Sequence, residues 1–87
     1  MISKNQIKLI RSLELKKNRK REGLFVAEGP KVVGDLLRAG YKPRMLFSTI
    51  ERSDAERITD EELRKISFLQ HPQEVLAVFE IPTASGL

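Results

Sequence analysis

The first apolar pattern of the chain is typical of an amphipathic helix. Ser3 and Gln6 form a capping-box pair, in which each side chain bonds the backbone N–H of the other residue. Apolar residues then recur at helical spacing from Ile7 to Leu13. These features predict a helix over about residues 4–17 with one apolar face, followed by a flexible basic loop.

The next segment predicts a β–α–β unit. Residues 24–28 form a short apolar run that predicts a buried strand, and residues 44–48 predict a second strand. Between them, Pro30 suits the first position of a helix, and Gly40 is placed to end that helix in a left-handed conformation. This order predicts that the two strands pair in parallel through a right-handed crossover.

The last third of the chain predicts one more helix and one more strand. Thr59 and Glu62 form a second capping-box pair, which predicts a helix over about residues 60–67. Residues 75–81 form the longest apolar strand. The form of segment 48–58 stays open between a loop, one helical turn and a short strand near its end, because its residues show no clear pattern.

The basic residues of the chain are concentrated at its beginning. The 87 residues carry a formal net charge of +4, but residues 1–21 hold eight basic side chains and one acid, Glu14, for a local charge of +7. Such a segment repels itself unless an anion lies against it, and a phosphate backbone is the usual anion. The alternative is a solvated tail or a patch of the nuclear-localisation type.

These patterns divide the chain into three parts. Residues 1–22 are predicted to form a basic helix and loop that pack on the rest. Residues 23–82 are predicted to form a small α/β domain, and residues 83–87 to begin a linker.

Residues that could carry catalysis or hold a metal are scarce. The chain has no Cys, and its one imidazole, His71, lies in a predicted turn, so no thiolate metal site or catalytic triad can be assembled. The carboxylates of residues 60–62 fall in the first turn of a predicted helix, where negative charge is stabilising. No apolar run approaches the roughly 18 residues of a membrane span. We expect this chain alone to be non-catalytic, without a metal or a membrane contact, and cytoplasmic.

Two regions are candidates for binding nucleic acid. One is the basic head, and the other is the junction between the first predicted strand and the helix that follows it. Exposed N–H groups at a helix N-terminus attract phosphate, and a carboxylate beside them can accept hydrogen bonds from bases or ribose hydroxyls. The predicted site residues are Lys4, Lys8, Arg11, Lys16, Lys17, Arg19, Lys20, Arg21, Glu28, Gly29 and Lys31.

Five runs, taken as an ordered set, resemble a known enzyme family. They are KLIRSL at 8–13, KKNR at 16–19, GLFVAEG at 23–29, LLRAG at 36–40 and VLAVF at 75–79. Together they resemble the N-terminal RNA substrate-binding domain of SpoU (TrmH-like) family RNA 2′-O-ribose methyltransferases, over nearly the whole chain. The resemblance implies a three-layer α/β/α sandwich of the ribosomal-protein L-thirty-e-like type, with a small, mostly parallel sheet after the basic helix.

The resemblance also implies a function. It implies recognition of structured ribosomal or transfer RNA in front of a methyltransferase domain that lies outside this chain. In the family that second domain holds S-adenosylmethionine and the usual homodimer interface, so we expect no cofactor here and a fragment of a longer enzyme. Two alternatives stay open: a free-standing protein that binds structured RNA, and a protein-interaction module whose basic helix binds an acidic partner.

Overall fold

The computed structural model of the chain describes residues 2–82, and the predicted linker lies outside the described residues. Helices and strands alternate along the chain, and most of them are short. In chain order they are α1 (Lys4–Ser12), α2 (Lys16–Glu22), β1 (Leu24–Glu28), α3 (Pro30–Arg38), β2 (Pro43–Ser48), β3 (Glu56–Arg57), α4 (Asp60–Ile66) and β4 (Val75–Glu80).

The four strands form one sheet in the order β1–β4–β2–β3. β4 runs antiparallel to both of its neighbours, and only β2 and β3 pair in parallel. The prediction of a mostly parallel sheet is therefore wrong, as is the prediction that β1 and β2 pair with each other. They run in the same direction, but β4, which is buried from Val75 to Phe79, lies between them. The most apolar strand occupies the centre because only there are both of its faces covered.

Helices cover both faces of this sheet. Along β4, Leu76 and Val78 join one apolar cluster with residues of α1 and α4, whereas Ala77 and Phe79 join a second cluster with residues of α3. Successive side chains of a strand point to opposite faces, so this division follows directly from the backbone. The chain is thus a mixed α/β fold with a small four-stranded sheet.

The N-terminal segment is two helices where one was predicted. α1 ends at Ser12, and α2 begins at Lys16 after Leu15, whose backbone is extended. The basic run that we expected to be a flexible loop is therefore helical, and Gly23 ends this second helix with φ of +69°. A continuous helix would have bonded the carbonyls of the turn within its own backbone. In this structure, side chains of α2 bond the carbonyls of Ser12, Leu13 and Glu14, and the N–H of Leu15 also donates to the first of them.

Both predicted capping boxes are confirmed. The N–H of Gln6 donates to Ser3 Oγ at 3.1 Å, and the N–H of Ser3 donates to Gln6 Oε1 at 2.9 Å. The same two distances separate the corresponding atoms of Thr59 and Glu62 at the start of α4. The left-handed conformation predicted after α3 is also present, since Gly40 has φ of +91°.

The segment between β2 and α4 contains a turn and a short strand. Arg52 donates two hydrogen bonds of 2.8 Å to the carboxylate of Asp54 within this turn. β3 then adds two residues to the edge of the sheet beside β2.

None of the helices within residues 2–82 is long and apolar enough to cross a membrane.

Candidate nucleic-acid interface

Three predicted site residues lie on α1. Lys4 and Lys8 are one helical turn apart and are exposed. Arg11 continues the same row, but it binds the body of the protein: its Nη1 donates to the carbonyl oxygen of Ser67 at 3.2 Å, and its guanidinium lies 5.5 Å from the ring centre of Phe68. Arg11 therefore fastens α1 to the end of α4, while the two lysines extend into solvent.

The side chains of α2 divide into an inner and an outer set. Asn18 and Arg19 are half-buried and turn toward the end of α1. Asn18 Nδ2 donates to the carbonyl of Ser12 at 2.8 Å, and Arg19 Nη1 donates to the carbonyls of Leu13 and Glu14 at 2.8 and 2.9 Å. The outer set is exposed and consists of Lys16, Lys17, Lys20 and Arg21.

Apart from Arg11, which bonds the carbonyl of Ser67, the exposed cations of α1 and α2 keep most of their charge unpaired. We call them the head cations: Lys4, Lys8, Lys16, Lys17, Lys20 and Arg21. Within residues 2–82 the one salt bridge that involves them joins Arg21 Nε to Glu22 Oε2 at 3.3 Å, and both of its side chains are well exposed. An exposed pair of this kind contributes little, about 0–1 kcal/mol. The positive field of the head is therefore not cancelled by the carboxylates of the described body.

The second predicted site, the junction between β1 and α3, is mostly engaged in internal contacts. Glu28 accepts a hydrogen bond of 2.5 Å from Ser67 Oγ and one of 2.9 Å from the N–H of Phe68. Gly29 is buried with φ of +104°, and its N–H donates to the carbonyl of Val75 at 2.8 Å. Of the three residues predicted here, Lys31 alone is exposed. No sequence pattern indicates that Ser67 and Phe68 lie at this junction, because they are 39 or more positions from Glu28.

A broad cleft of about 850 Å³ at the start of α4 is a poor site for phosphate. Its lining carries three carboxylates and only two cations, Arg57 and Lys65, so its net negative charge opposes an anion. The carboxylates are those of Asp60, Glu61 and Glu62. The backbone N–H of Thr59 is the main cause of a lowered pKa at Glu62, and the N–H of Ile2 acts in the same direction. The Glu62 carboxylate therefore caps α4 and holds the N-terminal segment.

The fold and the surface together define a small α/β domain with a cationic helical segment. Its sequence matches the family described as the MRM3-like substrate binding domain over residues 4–77, and the chain belongs to this family. The resemblance found in the sequence is thereby confirmed. A comparison with curated proteins found no match.

Solved structures of RNA methyltransferases resemble the chain. A protein assigned to the TrmH family of RNA methyltransferases, from Porphyromonas gingivalis, is 40% identical over 95% of this chain, with a TM-score of 0.81. An rRNA methyltransferase from Sinorhizobium meliloti, solved with S-adenosylmethionine (AdoMet) bound, is 28% identical over 97%, with a TM-score of 0.75. An RNA 2′-O-ribose methyltransferase that is 18% identical over 95% of the chain, with a TM-score of 0.79, shows the shared fold alone. This chain spans about 37% of the length of each of these three proteins.

Proposed function

We propose that the chain is the RNA-recognition domain of an AdoMet-dependent RNA 2′-O-ribose methyltransferase that acts on ribosomal or transfer RNA. Membership of a substrate-binding-domain family supports the proposal, and so does the 40% identity to a TrmH-family protein. In this proposal the methyl donor binds, and homodimers form, in a catalytic domain outside the chain. The proposal includes a cytoplasmic location and a fold of the three-layer, L-thirty-e-like type.

The observation that carries the proposal is the set of unpaired head cations on two helices. Lysine and arginine side chains bind phosphates by charge, and each contact releases a counterion from the RNA. A helical support holds the charges in a defined arrangement, which a disordered tail does not. The head cations are therefore the proposed phosphate ligands.

The aromatic side chains favour structured RNA over single strands. Proteins that bind single strands stack bases on exposed aromatic rings. In this chain all five aromatic side chains are buried or half-buried: Phe25, Tyr41, Phe47, Phe68 and Phe79. Recognition through shape and backbone charge is typical of proteins that bind double-helical RNA.

The salt dependence of binding tests this function. If the six head cations contact phosphates, log K for an RNA stem–loop should fall against log salt with a slope of about −4 to −5. Lys17→Gln should make the slope shallower by about 0.7–0.9, because one contact is lost.

A matched control is Arg38→Gln on α3, which covers the opposite face of the sheet, and its slope should equal that of the unaltered chain. A nearly flat salt dependence would overturn the proposal. Preferential binding to an acidic protein in the presence of excess stem–loop RNA would favour the protein-interaction alternative.

A further inference from the structure

The contact between α1 and α2 is made by side chains that face backbone carbonyls. The carbonyls of Ser12, Leu13 and Glu14 lie in the turn where α1 ends. Asn18 bonds the first of them, and a single guanidinium nitrogen of Arg19 bonds the other two, all within 2.9 Å. The C-terminal end of a helix carries partial negative charge, so a cation placed there is stabilising.

α2 needs such contacts because little else stabilises it. It has seven residues, none of them buried, and no side chain caps its first turn. Isolated helices shorter than about 12–15 residues are marginal in water. Lys16 lies four residues before Lys20, and Lys17 lies four before Arg21. Like charges at this spacing repel each other and destabilise the helix further.

Arg19 also differs from the other cations of its run in exposure. It is half-buried, whereas Lys16, Lys17, Lys20 and Arg21 are exposed. Asn18 is the other half-buried residue of the helix, and it is uncharged. The side that α2 turns toward α1 is thus made of these two residues, and the rest of its surface presents four cations and one acid, Glu22.

We propose that Asn18 and Arg19 are positioning residues that clamp α2 to the end of α1, so that the head cations stand in a fixed array before RNA arrives. In this role Arg19 is not a phosphate ligand, although it lies inside the basic run. The inference rests on the proposed function. The clamp orders α2 during folding, so binding does not have to order it, and preorganisation of this kind raises affinity.

The test compares variants that alter the clamp with one that removes a head cation. Asn18→Ala changes no charge, Arg19→Lys keeps the charge but loses the planar guanidinium, and Arg19→Gln loses both. Lys17→Gln is the matched loss of an exposed cation. For each full 87-residue variant, the affinity for a mixed-sequence RNA stem–loop is measured over roughly 0.05–0.3 M salt. Hydrogen exchange of the amides of residues 20–23 is followed without RNA.

The clamp predicts lower affinity at an unchanged salt slope. All three clamp variants should bind about five- to tenfold more weakly near 0.15 M salt, since the loss of one hydrogen bond, from the neutral amide of Asn18 or from the guanidinium of Arg19, costs up to about one order of magnitude in the docked state. They should keep the slope of the unaltered chain and exchange the amides of α2 faster. Lys17→Gln should instead make the slope of log K against log salt shallower by about 0.7–0.9. It should leave the hydrogen exchange of the α2 amides unchanged.

Three outcomes would overturn the proposal. The first is that Arg19→Lys binds normally while Arg19→Gln has a shallower salt slope, which would make Arg19 a phosphate ligand. The second is that the α2 amides of the unaltered chain exchange as in an unfolded peptide, and the third is that the clamp variants leave the exchange of these amides unchanged. If the unaltered chain shows no salt-dependent binding, the proposed function fails, and the exchange measurement still decides whether the clamp exists.

Discussion

Replacement of Glu28 by alanine separates a structural role from an RNA-binding role at the end of β1. Its carboxylate accepts hydrogen bonds from Ser67 Oγ and from the N–H of Phe68. It thereby joins the first strand to the residues that follow α4. Arg11 bonds the carbonyl of Ser67, so three segments of the chain meet at this residue.

The expected loss of stability follows from these two bonds. A hydrogen bond to a charged group contributes about 1.5–3 kcal/mol net. Glu28 is half-buried, and water can reach part of the site after truncation, so the lower end of that range applies. Glu28→Ala should therefore cost about 2–3 kcal/mol of unfolding free energy. For a domain of this size, that corresponds to a fall in Tm of roughly 10–20 °C.

Urea denaturation and thermal melts measure the loss, and a double-mutant cycle assigns it. Ser67→Ala alone removes one of the two bonds, so the double variant should cost less than the sum of the single ones, by about 1 kcal/mol. Glu74→Ala, at an exposed carboxylate residue of the following loop, is the control and should stay within about 0.5 kcal/mol of the unaltered chain.

If Glu28→Ala melts at the temperature of the unaltered chain yet binds a stem–loop RNA much more weakly, Glu28 contacts RNA and its bonds to residues 67–68 contribute little. Additive effects of Glu28→Ala and Ser67→Ala would show that the two side chains do not stabilise the fold through each other.

Two further predictions concern glycine and pH. Gly23→Ala should lower the free energy of unfolding by about 1 kcal/mol. A Cβ at this position would meet no other atom within 4 Å, but a residue with a side chain is strained in the left-handed backbone conformation. Gly34→Ala inside α3 should raise the free energy of unfolding by about 0.5–1 kcal/mol. If urea denaturation shows that both glycine substitutions change stability in the same direction, these two expectations are contradicted. Because the pKa of Glu62 is lowered in the folded state, chiefly by the N–H of Thr59, its contribution to stability is complete above pH 4.5 and is lost as the pH falls below that value. Glu62→Gln should therefore flatten the fall in stability between neutral and acid pH, whereas Glu61→Gln, which leaves the capping box intact, should not.

The sequence alone predicted several features that depend on a few neighbouring residues, but not the break between α1 and α2. The capping boxes at Ser3 and Thr59, the start of α3 at Pro30 and the left-handed Gly40 each involve atoms a few positions apart. The concentration of cations in residues 1–21 is a property of composition and needs no structure. The order of the five family-like runs was also sufficient to identify the family.

The tertiary structure decided which of these elements meet. A β–α–β pattern sets the direction of β1 and β2 but does not exclude a later strand from the space between them, and β4 lies there because its two apolar faces both need cover. In the same way, the basic run shows that residues 16–21 are cationic but does not show which of them bond carbonyls. Arg19 and Arg11 differ from the other basic residues of α1 and α2 only through contacts made after the chain has folded. Local spacing determines the elements and their charge, whereas burial and pairing between distant segments determine which charges stay available to a partner.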